Sequence, residues 1–276
     1  MGTLRTKPDK VLQVVELLVE GMSIRGAARI ARCHRDTVLR ILKHAGQRSY
    51  DLLNRKLVDI PVKHVEGDEI WTFVQKKSEP DTDPETDTAP TGDFYVFLGI
   101  ESDTKLLLLP TIGKRTENKT WNFAQNIKQS TSGRFQITTD GFRPYKNAIV
   151  NTLGDRVDFA QFYKEHNMRK ANPNFDATLK DSEHPFVVRC GTPNERRITT
   201  AHVERVNLTL RTHNKRFNRK TICFSKDEEY LAYSVYLFTA HHNFCRTHLT
   251  HGETPAVKSG IAESKWSIND LIANAL

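Results

Sequence analysis

A chain of 276 residues can hold one large domain or a small one beside a medium one, and 38% hydrophobic residues suffice for a packed core. Lys and Arg outnumber Asp and Glu by 41 to 33, a formal charge of +8 that suits a polyanionic partner. The start MGTLRTKPDK has no apolar signal core, and runs such as Leu106 to Leu109 are far too short to cross a bilayer, so a cytoplasmic (nucleoid-associated) protein with no membrane partner is expected.

Charge is unevenly placed. Ser78 to Gly92 holds five acids and no Lys or Arg, leaving +13 on the rest of the chain. Residues 1–64 carry 13 basic and 6 acidic residues, and Arg205 to Lys220 six basic and none acidic, so two regions are cationic. The four cysteines, Cys33, Cys190, Cys223 and Cys245, are scattered without a CxxC pair, which argues against both a zinc site and a disulfide framework.

In chain order, Val11 to Val19 is an apolar helical segment that ends at Gly21. Ser23 is placed to cap a short helix, Ile24 to Ile30, whose Ala27 and Ala28 allow close packing. After a turn at Ala31 to Cys33, a third helix is expected from about Arg35 to His44, stopping near Gly46. Val38, Ile41 and Leu42 form its buried stripe, which leaves Arg35, Thr37, Arg40 and Lys43 outside to contact DNA. Residues 1–60 therefore read as an all-α helix-turn-helix DNA-binding domain.

Residues 61–250 read differently. Val65 to Val74, Phe94 to Ile100 and Lys105 to Leu109 are expected strands, with the acidic 78–92 segment a solvated loop between the first two. A helix at Thr116 to Gln129, a strand at Arg134 to Thr139, a helix at Pro144 to Leu153 and a strand at Val157 to Tyr163 follow. Residues 163–197 are taken as a mostly irregular insertion, then come helices from near Thr199 to His213 and from Glu228 to Phe244, and a C-terminal tail at 251–276. This order predicts an α/β fold of ribonuclease-H-like type, a mixed five-stranded sheet with helices.

Cleavage of a phosphodiester by two metal ions needs acidic oxygens from different elements converging on one spot. Asp68 lies within the first strand and Asp140 ends the fourth, and these strands are neighbours in such a sheet. Glu66 and Glu69 compete with Asp68, and Glu165 competes for the third position. On a helix, Glu204, Asn207 and Arg211 share one face, with Val203, Val206 and Leu210 on an adjoining apolar one. Lys215, Arg216, Arg219 and Lys220 continue as a track for the DNA backbone.

Three segments resemble the transposases of insertion-sequence family one, a group of DDE enzymes. They are Asp68-Glu69-Ile70-Trp71, Thr139-Asp140-Gly141-Phe142-Arg143-Pro144-Tyr145, and HVERVNLTLRTHNKRFNRKTICFSK from His202 to Lys226. The resemblance implies that Asp68, Asp140 and Glu204 are both the catalytic residues and the ligands of two Mg²⁺ (or Mn²⁺) ions. It implies cleavage and strand transfer of an insertion sequence during transposition, a form of DNA recombination. Double-stranded DNA, as element ends and target, is the implied partner, with a homo-oligomer assembling on it. A regulator derived from a transposase, or a metal-dependent nuclease without strand transfer, are the alternatives. The cysteine zinc finger that members often carry ahead of the helix-turn-helix has no counterpart here, and the segment between Asp140 and Glu204 is longer than usual.

Overall fold

The computed structural model describes residues 6–163 and 185–274. Three helices open the chain: α1 (Pro8–Val19), α2 (Ile24–Ile30) and α3 (Arg35–Lys56). Pro8 sits in the first turn of α1, where its missing N–H costs nothing, and Val11, Val14, Val15 and Val19 form the buried stripe. The Ser23 hydroxyl accepts from the Gly26 N–H at 3.1 Å, capping α2 as its position predicts.

Helix α3 corrects one expectation. It does not stop near Gly46 but runs 22 residues, to Lys56. A helical glycine costs roughly 1 kcal/mol, yet here it permits a close crossing with α7 (Glu228–Phe244). A Cβ on residue 46 would lie 2.3 Å from Tyr233 Cβ and 2.6 Å from its Cα. Gly46 is a contact point, not a terminator.

The strands are β1 (Ile60–Pro61), β2 (His64–Val74), β3 (Gly92–Glu101), β4 (Thr111–Gly113), β5 (Thr131–Ser132), β6 (Phe135–Thr139), β7 (Val157–Phe162) and β8 (Phe186–Cys190). Between them lie α4 (Glu117–Ser130) and α5 (Pro144–Leu153). β1 and β5 form a small parallel pair, and the main sheet has the order β4-β3-β2-β6-β7-β8. β3 is antiparallel to both β2 and β4, while β6 is parallel to β2 and β7. An antiparallel meander joined to two parallel strands is the ribonuclease-H-like order that the element sequence predicts.

Two details differ from that expectation. The sheet has six strands among the described residues, because 186–190, within the stretch read as irregular, pairs antiparallel with β7. The third strand of the meander is Thr111–Gly113 rather than Lys105 to Leu109. The leucine run makes only an isolated bridge, Ile100 to Leu107, and the Leu107 N–H and C=O are taken by the Asn243 side chain at 2.9 and 2.8 Å. A helix side chain has replaced a strand partner.

Two further helices frame the site, α6 (Ala201–His213) and α7, and the chain closes with α8 (Pro255–Lys258) and α9 (Ile268–Asn274). α7 is apolar nearly all round, as a helix buried on both sides must be. Its Tyr233, Leu237, Ala240 and Phe244 join a core that includes α1, α2 and α3, while Leu231, Val235 and Phe238 join a second core with β3 and α6. The segment read as a tail contributes to the first core through Leu271, and Trp266 stacks on Phe244 at 4.5 Å. The acidic loop is pinned at one end of α4: Lys114 pairs with Asp87 at 2.7 Å, and Glu85 accepts from the Glu117 N–H at 2.7 Å. No described helix is long and apolar enough to cross a membrane.

Candidate active site

Alternation along β2 sends its acids to opposite faces. Glu66 and Asp68 face α6, and Glu69 faces Arg115 and α5. Glu66 is 2% exposed and accepts from the N–H groups of His202 (2.8 Å) and Val203 (3.1 Å), with His202 Nδ1 2.6 Å away. Glu66 therefore caps the N-terminus of α6 and fixes that helix against the sheet.

Asp68 and Asp140 meet through the ladder. The parallel β2–β6 pairing ends at Gly67 opposite Thr139, so the next residue on each strand is an aspartate. Oxygens of Asp68, Glu69 and Asp140 lie within 4.8 Å of one another. The turn after β6 is tightly held. Asp140 Oδ1 accepts from the Phe142 N–H at 3.1 Å, and the buried Gln161 donates to the carbonyls of Asp140 (2.9 Å) and Phe142 (3.1 Å). Gln161 is itself held by Arg189 of β8, at 2.8 Å. A Cβ on residue 141 would meet the Tyr163 ring at 2.1 Å, so the turn needs glycine there.

Three acids this close repel one another when ionised. Burial, and then the charges of Glu69 and Asp68, push the Asp140 carboxyl well above the usual carboxylate range, against the pull of Arg115 and the Phe142 N–H. Glu69 already has partners: Arg115 donates from Nε at 2.6 Å and pairs through a second nitrogen, and the Tyr145 hydroxyl donates at 2.8 Å. The Arg115 guanidinium also stacks on the Phe142 ring, 4.0 Å from its centroid. Burial works against its charge, but Glu69 and Asp140 outweigh that and raise its pKa.

Helix α6 reaches Asp68 through Asn207, whose Nδ2 donates to Asp68 Oδ2 at 2.8 Å. Glu204, one turn earlier, is half-buried and accepts from the Thr200 hydroxyl at 2.7 Å; it stands outside the triangle of Asp68, Glu69 and Asp140. Arg211 is half-buried, its pKa lowered by burial and then Arg219 while Asp68 opposes the shift. Val203, Val206 and Leu210 enter the core on the adjoining face, as the helix spacing predicts. Glu165 lies outside the described residues.

Of the basic residues, Lys215, Arg219 and Lys220 are exposed, and Arg216 is largely tucked in, with burial lowering its pKa to about 10. On α3, Arg35 and Arg40 are exposed and Thr37 is half-buried, accepting from Arg40 at 3.3 Å. Lys43 is exposed and leans towards Glu229 of α7 at 3.6 Å. Sequence reasoning missed Arg115, Gln161 and the capping role of Glu66. Only Glu66 left a signal, its even spacing from Asp68 on one strand face.

Residues 185–245 match the family model described as IS1 transposase. Over that stretch the chain is similar to IS1 transposases. The match contains β8, α6, the basic segment and α7, and so Glu204, Asn207 and Arg211; Asp68 and Asp140 precede it. Among solved structures, the piggyBac transposase synaptic complex with hairpin DNA is similar at 11% identity and a TM-score of 0.42, over 100% of this chain and 73% of that one. The Mos1 strand transfer complex is similar at 13% identity and 0.25, over 58% of this chain and 60% of that one. A pre-cleavage Mos1 transpososome gives 11% and 0.26, over 87% and 80%. No curated protein matches.

Proposed function

We propose that the chain is a transposase that cuts DNA and joins it by strand transfer, with Asp68, Asp140 and Glu204 as the acids that hold divalent metal. The observation that carries this reading is the meeting of Asp68 and Asp140 at the ends of neighbouring parallel strands, beneath the helix of the family-matched segment that bonds Asp68. The donors are all hard oxygens, the set that Mg²⁺ or Mn²⁺ takes. A raised pKa at Asp140 fits the same use, since a cation beside it restores the charged form. Two such ions, when bound, would activate water or a 3′-hydroxyl and stabilise the leaving oxygen.

The residues of the chain do the rest. The Phe142 N–H holds the Asp140 carboxylate, Gln161 fixes the backbone of that turn, Asn207 orients Asp68, and Arg115 offsets part of the negative charge. Arg211, whose charge Asp68 favours, would take a phosphate oxygen. Lys215, Arg216, Arg219 and Lys220 extend that surface as a backbone-binding track, and residues 1–60, through Arg35, Thr37, Arg40 and Lys43, read the duplex at the element's ends. Double-stranded DNA is the partner, with a homo-oligomer holding paired ends, and the nucleoid is where such a protein would work.

The test is a supercoiled plasmid carrying the element's ends, incubated with Mg²⁺ or Mn²⁺. Asp68→Asn, Asp140→Asn and Glu204→Gln should each lower cleavage and strand transfer together, on the order of 10²-fold or more, with DNA binding kept. The three losses should not add, because residues acting as one unit fail as one unit. Cleavage that proceeds in EDTA, or that survives Asp140→Asn, removes the basis for the reading.

A further inference from the structure

We propose that Asn207 is itself a ligand of the metal site, its amide oxygen completing the shell of an oxygen-seeking divalent cation beside Asp68. The proposal rests on the metal-dependent reading above and extends it to a neutral side chain.

Asn207 is 6% exposed. The nitrogen end of its amide is accounted for, since Nδ2 donates to Asp68 Oδ2 at 2.8 Å. A carboxylate oxygen only accepts, so the nitrogen must be the atom that faces Asp68, and the oxygen is thereby aimed elsewhere. That oxygen, Oδ1, is buried with no hydrogen-bond partner among the described residues. A buried amide oxygen without a donor is costly and asks for a donor or a cation. The adjoining Val203, Val206 and Leu210 side chains offer neither.

The next residue on the same helix face sharpens the choice. Arg211 Nε is also buried without a partner, so within one turn an acceptor lacks a donor and a donor lacks an acceptor. A divalent cation carrying an anionic oxygen, as a phosphodiester supplies, satisfies both at once. Asn207 would then act twice, orienting one oxygen of Asp68 through its nitrogen and binding the ion through its oxygen.

Mn²⁺ binding to the full chain without DNA, followed by the electron paramagnetic resonance signal of free Mn²⁺, tests this without any activity assay. Wild type, Asp140→Asn, Asn207→Leu and Asn207→Asp are compared, each first checked for a cooperative thermal melt. Asn207→Leu should weaken binding about tenfold or more, and Asn207→Asp, which keeps an oxygen in place, should bind as tightly as wild type or tighter. Wild-type affinity in Asn207→Leu overturns the proposal and leaves the site to Asp68 and its acidic neighbours, with a water at Oδ1. Weakened binding in Asn207→Asp also overturns it, because only the hydrogen bond to Asp68 would then matter. Should Asn207→Leu fail to fold, the Asn207→Asp arm decides alone on the same terms. If wild type binds no Mn²⁺, or Asp140→Asn binds as wild type does, the metal-site reading falls and this inference with it. Loss in Asp140→Asn without loss in Asn207→Leu sinks the inference alone.

Discussion

Asp140 is where the chemistry of single residues carries most consequence. Its carboxyl is buried beside Glu69 and Asp68, which raises its pKa on folding. An acid raised in this way binds protons more tightly in the native state than in the unfolded one. Stability therefore falls as pH climbs from the unfolded carboxylate value, about 3.9, through the raised native one. Asp140→Asn is neutral at every pH and keeps an oxygen to accept from the Phe142 N–H. His241 and His242, whose pKa values burial lowers to about 4 and about 3, act the other way over the same range, so the difference between variant and wild type is the readout. In EDTA, Asp140→Asn should gain on wild type between pH 5 and pH 8 and melt higher than wild type at pH 8. A variant that melts below wild type at pH 8 contradicts this account. From sequence, Asp68 is already expected beside Asp140 on a neighbouring strand, but the burial and the nearby Glu69 charge, which rank above Asp68 in the shift, come from the tertiary structure.

At the scale of elements, the packing of α3 on α7 decides what Gly46 is for. Local propensity favours alanine in a helix by about 1 kcal/mol. Against that gain, a Cβ at residue 46 would meet Tyr233 backbone and Cβ atoms at 2.3–2.7 Å, where no flexible side-chain end can move aside. Overpacking of this kind costs about 1–3 kcal/mol and more when backbone is involved. Gly46→Ala should therefore destabilise the protein, read as a lower urea midpoint with an unchanged slope. A higher midpoint would mean that propensity wins and that the two helices can separate. Most elements were legible because periodicity and caps are local: Ser23 capping α2, Pro144 opening α5 and the alternation in β2 are all set within a few residues. The fates of Lys105 to Leu109 and of Phe186–Cys190 were not, since each depends on a distant partner, Asn243 in one case and β7 in the other.

For the whole molecule, the arrangement of charge and core sets how DNA binding should be measured. α3 carries the exposed Arg35 and Arg40, yet the same helix packs against α7 and shares one core with α1, α2 and α9. The full chain, and not a fragment of its first 60 residues, is therefore the object to assay. Arg35→Ala combined with Arg40→Ala should remove preference for the element's ends while the melt stays intact, since both side chains are exposed. Each lost phosphate contact lowers the salt dependence by about one in the log–log slope, so the slope should fall by about 1–2. Residual nonspecific binding should persist through Lys215, Arg219 and Lys220, which remain exposed. Unchanged end preference in the double variant would assign reading of the ends to another surface.

What the sequence by itself determined is whatever short-range rules govern: the helices apart from the far end of α3, the Ser23 cap, the strand that carries Asp68, the strand end that carries Asp140, and the basic segments. These follow from side-chain periodicity and turn chemistry, which act over a few residues. The tertiary structure alone decided which acid among neighbours does what. Glu66 caps α6, Glu69 is paired with Arg115 and Tyr145, and Asn207 reaches Asp68. Those roles are set by contacts across 46 to 139 residues of chain, between groups that only the pairing of strands and the docking of α6 bring together.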